Sequence, residues 1–192
     1  DLADEPSWMP EIAGDSGKTV TVIGAGPAGL AAAYYLALKG HRCRVIDRNG
    51  LAGGSLRKEV PEGELPDAVL QQEIDHIAAV GVEFSLGSMV DAEQFRKIQE
   101  TSDAVVVATG KGESGIAQWG LPMHPRGVEA DGKTYRVGES AVFVVGSALK
   151  PSRLAIRVLG QGKEVAFSVD QFLGGEPVKG EPSIFNSRFG KL

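Results

Sequence analysis

A glycine turn between a short apolar strand and a small-residue helix constrains this chain more than any other feature. From Thr19 to Gly40 the sequence reads TVTVIGAGPAGLAAAYYLALKG. Gly24, Gly26 and Gly29 fit G-x-G-x-x-G directly after the apolar run Val20–Ile23, at the head of a helix expected over Ala28–Lys39. The first glycine permits the tight turn, the second lets the backbone approach a pyrophosphate, and the third lets the helix pack close to the sheet. The N–H groups and positive dipole end of that helix favour an anion. Pro27 suits the helix start, where a missing N–H costs nothing, and Ala28 follows it in the first turn. A second strand, Arg42–Asp47, closes on an acid eighteen residues beyond Gly29, the place of a ribose ligand in this motif. Gly24, Gly26, Pro27, Ala28, Gly29 and Asp47 are therefore candidate binding residues for a dinucleotide of unspecified kind. Arg48 comes next. It reads either as a 2′-phosphate contact or as a solvated loop arginine, and the second is simpler because Asp47 would repel a 2′-phosphate.

Farther along, strand and helix patterns alternate. A Gly- and Pro-rich loop covers 48–66. Asp67–Val80 has helical spacing, with Val69, Leu70, Ile74, Ile77 and Ala78 on one side. GVEFSLG reads as a third strand, Asp91–Thr101 as a short amphipathic helix, and DAVVVA (103–108) as a buried strand. Residues 111–140 are irregular, with a hairpin expected at Asp131–Gly132. AVFVVG (141–146) is another buried strand, and Ser152–Leu173 is the last helix. This alternation predicts an α/β fold, Rossmann-like, with a parallel sheet, crossover helices and a small β-hairpin insertion.

Composition narrows the function classes. The net charge is −5 without a long basic run, which disfavours nucleic acid. No apolar stretch reaches the ~20 residues of a membrane span. The acidic, proline-broken opening DLADEPSWMPEI is unlike a signal peptide, so a cytoplasmic location is expected; it lacks an initiating Met, so sequence is expected before Asp1. Cys43 is the single cysteine. That excludes an internal disulfide, a CxxC pair and any iron–sulfur or zinc site built from several thiolates of this chain. Cys43 itself reads as a buried structural thiol. His41 reads as an exposed turn residue and His76 as half exposed. No metal site is expected from the spacing of the three histidines.

Three further stretches resemble the glutamate synthase small-subunit family, among the pyridine nucleotide-disulfide oxidoreductase-like flavoproteins: GGSLRKEVPEGELP, DAVVVATG and VFVVGSALKPSRLAIRVLGQGKEVAFSVDQFL. The flanking EPSWMPEI and the tail resemble flanks of related oxidoreductases. The resemblance implies a bound FAD. It implies that Gly24, Gly26 and Gly29 hold the pyrophosphate and Asp47 the adenosine ribose. Val90, at the end of the third strand, would meet adenine through its backbone. Gly54, Ser55 and Leu56 would lie along the ribityl and flavin end, Ala108, Thr109 and Gly110 by the pyrophosphate, and Gly146 and Ser147 by the ribityl chain. Ala155 and Ile156 would begin a helix whose N-terminus faces the flavin, favouring negative charge on the reduced ring. Two departures stand out: Ser147 replaces the family's Asp, and Gly63 and Glu64 replace an aromatic residue and an Arg.

The resemblance also implies a domain layout: an arm over 1–17, an FAD-binding domain over 18–174 and a tail over 175–192. Residues 18–110 and 141–174 would form its core, and 111–140 would stand where the family has a second, NAD(P)H-binding domain. Gly110 and Ala141 are 31 positions apart, short of the ~50 residues of a domain, and no second glycine motif occurs. Electrons would then reach the flavin from elsewhere. The partners implied are an iron–sulfur protein or domain and a second copy covering the exposed flavin face. His124 lies in the 111–140 segment, the one place from which a histidine has a route to the flavin, although an ordinary loop residue is the simpler reading. Trp119 reads as covering the isoalloxazine or, more simply, as packing. Lys150 and Arg153 flank the last helix and read as phosphate contacts or as solvated cations. Besides an FAD-dependent electron-transfer oxidoreductase, a single-domain NAD(P)-binding protein and a non-catalytic degenerate FAD domain remain open. No catalytic side chain is identified.

Overall fold

The computed structural model describes residues 10–61, 63–110, 115–152 and 154–182. A five-stranded sheet has the order β3-β2-β1-β4-β7, with β-branched residues concentrated in β1, β4 and β7. The five strands are β1 (Thr19–Ile23), β2 (Arg42–Asp47), β3 (Glu83–Leu86), β4 (Ala104–Val107) and β7 (Val142–Val144). All four pairings are parallel. Burial on both faces explains why β4 and β7 are continuous in Val and Phe instead of alternating. The chain runs outward from β1 through α1 (Pro27–Leu38) to β2, and through α3 (Asp67–Ala79) to β3. It then returns through α4 (Ala92–Thr101) to β4 on the opposite side of β1. The switch point between β1 and β4 opens a crevice at the strand C-termini, the usual ligand position in such sheets.

α1, α3 and α5 (Ala155–Leu173) cover one face around Val20, Val22, Leu36, Phe143 and Val165. α4 and the 115–140 segment cover the other around Phe95, Val105, Val107, Trp119 and Val144. The small residues of α1 serve a close approach: a Cβ on Gly162 of α5 would stand 2.5 Å from the Ala31 Cβ and 2.7 Å from the Ala28 carbonyl. α4 begins with a capping box in which the Asp91 carboxylate accepts from Gln94 N and the Gln94 side chain accepts from Asp91 N.

Several expectations need correction. The loop expected over 48–66 contains a short helix, α2 (Ser55–Glu59). The chain does reverse at Asp131–Gly132, where Asp131 N donates to Arg136 O at 2.9 Å and Tyr135 N to Asp131 O at 2.8 Å, but no paired strands flank that turn. Two short antiparallel strands, β5 (Met123–His124) and β6 (Gly127–Val128), pair instead. Asp131 turns its carboxylate to the N–H groups of Lys133 and Thr134, at 3.0 and 2.7 Å, which fixes this turn locally. The chain reverses again just beyond, where Val137 N donates to Val142 O and Val144 N to Tyr135 O. α3 buries only Leu70 and Ile74; Val69 and Ala78 are exposed, so its apolar face is narrower than the spacing suggested. His76 is exposed as well.

His41 is buried, not exposed, at 7%. The arm folds over the Gly40 turn: Ala13 N donates to Leu38 O, and Ser16 N to Gly40 O. His41 Nδ1 meets Ser16 Oγ at 2.7 Å and Nε2 meets Asp170 Oδ1 at 3.1 Å. Lys39 Nζ reaches the other Asp170 oxygen at 2.6 Å. Cys43 is buried as expected, and burial pushes its thiol pKa up to about 12.

Candidate functional site

The crevice at the switch point is built from the glycine turn upward. Gly24 follows β1 at φ +114°, and a Cβ there would stand 2.3 Å from the Ala108 carbonyl oxygen, so only glycine lets β1 and β4 meet at this height. A Cβ on Gly29 would stand 1.9 Å from the Gly24 carbonyl oxygen. Gly29 is thus a packing residue beneath the turn and does not line the crevice. Gly26 is the opposite case: nothing lies within 4 Å of its missing side chain. It caps α1, whose first turn carries no acid and no side-chain cap, with Pro27 at its start. Open space, unpaired first-turn N–H groups and the positive helix end together make a seat for a phosphate.

Asp47 holds this turn. Its Oδ2 accepts from Ala25 N at 2.7 Å, and its Oδ1 accepts from Asn49 N and Asn49 Nδ2 at 2.7 and 2.8 Å. Each carboxylate oxygen has two lone pairs. Oδ1 is filled, while Oδ2 keeps one acceptor site for a sugar hydroxyl.

A cavity of about 260 Å³ runs past these residues. It is lined by Gly24, Gly26, Asp47, Arg48, Gly54, Ser55, Val90, Ala108, Thr109, Gly110, Trp119 and Ser147, among others. A second cavity of about 190 Å³ adjoins it, lined by Pro27, Ala28, Leu56, Gly146 and Ala155 and by residues of the first, among them Ser55, Ala108, Gly110, Ser147 and Ser152. Most of the candidate residues come together here from five separate stretches of chain.

Some differ in detail. Val90 lies in the loop beyond β3, which ends at Leu86, and it is buried. Ile156 lines neither cavity. It is 77% exposed and faces an apolar groove of about 1160 Å³ between α1, α3 and α5. Successive helical positions turn by about 100°, so Ala155 and Ile156 cannot both face the crevice. Arg48 lines the crevice with an exposed side chain. His124 and Lys150 are exposed and outside it. Arg153, residues 1–9 and residues 183–192 lie outside the described residues.

The sequence reading missed Asn49, Lys58, Glu59, Ser88, Met89 and Ser152 in the lining. Lys58 and Glu59 stand on α2, which is too short to show a period. Ser88 and Met89 precede Val90 in a loop without a motif. Trp119 packs, as the simpler reading had it: its ring stacks on Phe95 at 4.5 Å and 8°. It also lines the crevice with Asp47 and Val90, and is absent from the lining of the second cavity.

Two polar atoms speak for a ligand. Thr109 Oγ1 and Trp119 Nε1 are buried and find no hydrogen-bond partner among the described residues. An orphaned buried polar group costs about 1–3 kcal/mol, and both atoms belong to residues that line the crevice. Together with the Gly26 seat and the open Asp47 acceptor, they suit a phosphate- and sugar-bearing molecule.

Comparison with known proteins agrees with this geometry. Residues 22–80 match the model of the family described as "NAD(P)-binding Rossmann-like domain". The chain contains a Rossmann-like nucleotide-binding domain. Its relatives are named as oxidoreductases, glutamate synthase small chains among them. A putative oxidoreductase of Escherichia coli, YgfK, is 33% identical over 159 residues, 81% of this chain and 14% of that protein. The glutamate synthase [NADPH] small chain of Mycobacterium tuberculosis is 40% identical over 96 residues, 50% of this chain and 20% of that protein. The Rossmann-like domain described here therefore spans a fifth or less of the length of these relatives. The THI4 structure from Thermovibrio ammonificans superposes with a TM-score of 0.61 at 17% identity, covering 82% of this chain and 90% of that one, which is a likeness of fold. Among the described residues no helix is long and apolar enough to cross a membrane, and no three metal-ligating side chains cluster.

Proposed function

We propose that the crevice holds FAD and that the domain relays electrons through it as part of a larger oxidoreductase. The observation that carries this reading is the continuity of the two cavities. Ser55, Ala108, Gly110, Ser147 and Ser152 line both, so one extended ligand can run from Asp47 past the glycine turn to Ala155. The GG-L loop, the ATG strand end and the late strand–helix, which resemble the flavin contacts of glutamate synthase small subunits, all lie along that path.

The residues divide the work. The α1 N-terminus and Gly26 hold the pyrophosphate, and Asp47 Oδ2 accepts from the ribose. Val90 flanks the adenosine half and Thr109 the pyrophosphate. Leu56, Gly146, Ser147 and Ala155 surround the other end. Gly146 is itself fixed there, its N–H donating to Gln161 Oε1 of α5 at 3.0 Å. FAD, when bound, supplies the ring that takes up and gives off electrons. The start of α5, free of acids and of side-chain caps, places a positive dipole end beside that ring, which favours added negative charge.

In this reading residues 18–110 and 141–174 make the core and 111–140 an insertion. Electrons arrive from a partner and leave to one, with an iron–sulfur protein or domain as the chemical class and a second copy as a cover for the ring. A cytoplasmic setting is in keeping with one unpaired thiol. The second reading, NAD(P), rests on the description of the matched family and on Arg48 beside Asp47 in the crevice.

Titration of purified protein with FAD and with NADPH separates the two. Retained or restored flavin absorption at one FAD per chain supports the first reading. Tight NADPH binding with no uptake of FAD overturns it in favour of the second.

A further inference from the structure

We propose that Trp119 is a specificity residue that selects ligands carrying an adenosine half, its indole Nε1–H donating to an acceptor of that half. The inference rests on the crevice holding a dinucleotide and goes on to ask how its adenosine end is recognised.

Trp119 ends a single 3-10 turn, Ile116–Trp119. It is 7% exposed, and its ring is fixed face to face on Phe95. Phe95 belongs to α4, whose cap Asp91 directly follows Val90. The indole is therefore held on the Val90 side of the crevice. It lines the cavity that contains Asp47 and does not line the one that contains Leu56 and Ala155.

An indole nitrogen can only donate. This one is buried without a partner among the described residues, and its ring is stacked on Phe95. A buried donor left unpaired destabilises the free protein, and an apolar ring of similar shape would remove that penalty. Phenylalanine at this place would keep an aromatic face for Phe95 and lose the N–H. The arrangement makes sense if the missing acceptor arrives with the ligand. Adenosine offers acceptors at its ring nitrogens and ribose oxygens; a flavin mononucleotide, seated at the other end, does not reach this wall.

The test is calorimetric titration of wild type and Trp119→Phe with ADP, FAD and FMN, together with the melting temperature of each protein free of nucleotide. Loss of one hydrogen bond is expected to weaken ADP and FAD by about tenfold. FMN affinity is expected to stay unchanged, and the ligand-free melting temperatures report the packing lost with the larger ring. Equal ADP affinity in the two proteins overturns the proposal, as does a loss of ADP affinity matched by an equal loss for FMN. Wild-type protein that binds ADP but not FAD overturns the flavin reading alone and leaves the ADP comparison to decide the role of Trp119. Failure of wild type to bind ADP overturns both.

Discussion

The Asp47 carboxylate accepts a hydrogen bond from the backbone N–H of Ala25 at 2.7 Å, which ties the end of β2 to the glycine turn after β1. Ala25 is fully buried, so nothing else is available to that N–H. One side chain thus shapes the turn and offers its remaining lone pair to the ligand. Asp47→Ala is expected to lower stability by about 1–3 kcal/mol through the orphaned donor and to weaken nucleotide binding in the same variant. Urea unfolding and ligand titration measure the two effects. Unchanged stability would mean that the turn holds without Asp47.

Gly26 and Gly29 lie three residues apart and predict opposite outcomes. Gly29→Ala drives a Cβ into the Gly24 carbonyl, and overpacking of this kind costs roughly 1–3 kcal/mol. Gly26→Ala meets nothing within 4 Å and is expected to fold with wild-type stability. Its methyl group fills the phosphate seat, so ligand affinity should fall at least tenfold. Melting temperatures compared with dissociation constants separate the pair, and a normally binding Gly26→Ala would remove the phosphate from that seat.

Acid should weaken the fold through Asp103. Thr19 N donates to its Oδ2 at 2.8 Å, and Lys18 Nζ stands 3.2 Å from Oδ1. The Thr19 N–H, aided by Lys18, holds the Asp103 carboxyl below the usual range. A carboxylate with a depressed folded-state pKa contributes stability above its unfolded value, near 4, and loses it as pH falls through the folded value. Asp103→Asn should therefore melt lower than wild type at pH 7, and the gap should close below about pH 4. A gap that persists into acid would point to a steric cause.

Cys43 should be inert in the folded protein. Its thiol is buried with its pKa pushed up to about 12, so little thiolate exists at pH 8. A chromogenic thiol reagent is expected to react slowly with native protein and to titrate one thiol per chain after denaturation. Rapid reaction of the native protein would show that the α1–β2 corner opens.

The sequence made the site legible wherever backbone geometry demanded a residue type. The turn at Gly24–Gly29 and the acid at the end of β2 could be read directly, because each has few chemical alternatives, while the strand ends at Ala108 and Gly146 came with the family resemblance. Ile156 was misplaced because a resemblance names neighbours in sequence, while a helix separates them in angle. His41 was misread because its burial depends on an arm folding back from residues 13–16, contacts that no local pattern encodes. Trp119 was half read. Its apolar bulk announced packing, but the orphaned nitrogen appears only when α4 and the 115–119 turn are brought together. Lys58, Ser88 and Met89 carry no signal of their own and enter the lining by virtue of where the loops travel.

β4 and β7 are hydrogen-bonded neighbours, yet the chain between them travels away from the sheet and comes back. An excursion that leaves and re-enters at adjacent strands can be lengthened, shortened or exchanged without redrawing the topology. The present one is not free of duty, because Ile116, Trp119, Val128 and Val137 form the lid over Val105, Val107 and Val144. This joint behaves as a socket: any module grafted there, by evolution or by an engineer, must bring its own greasy plug.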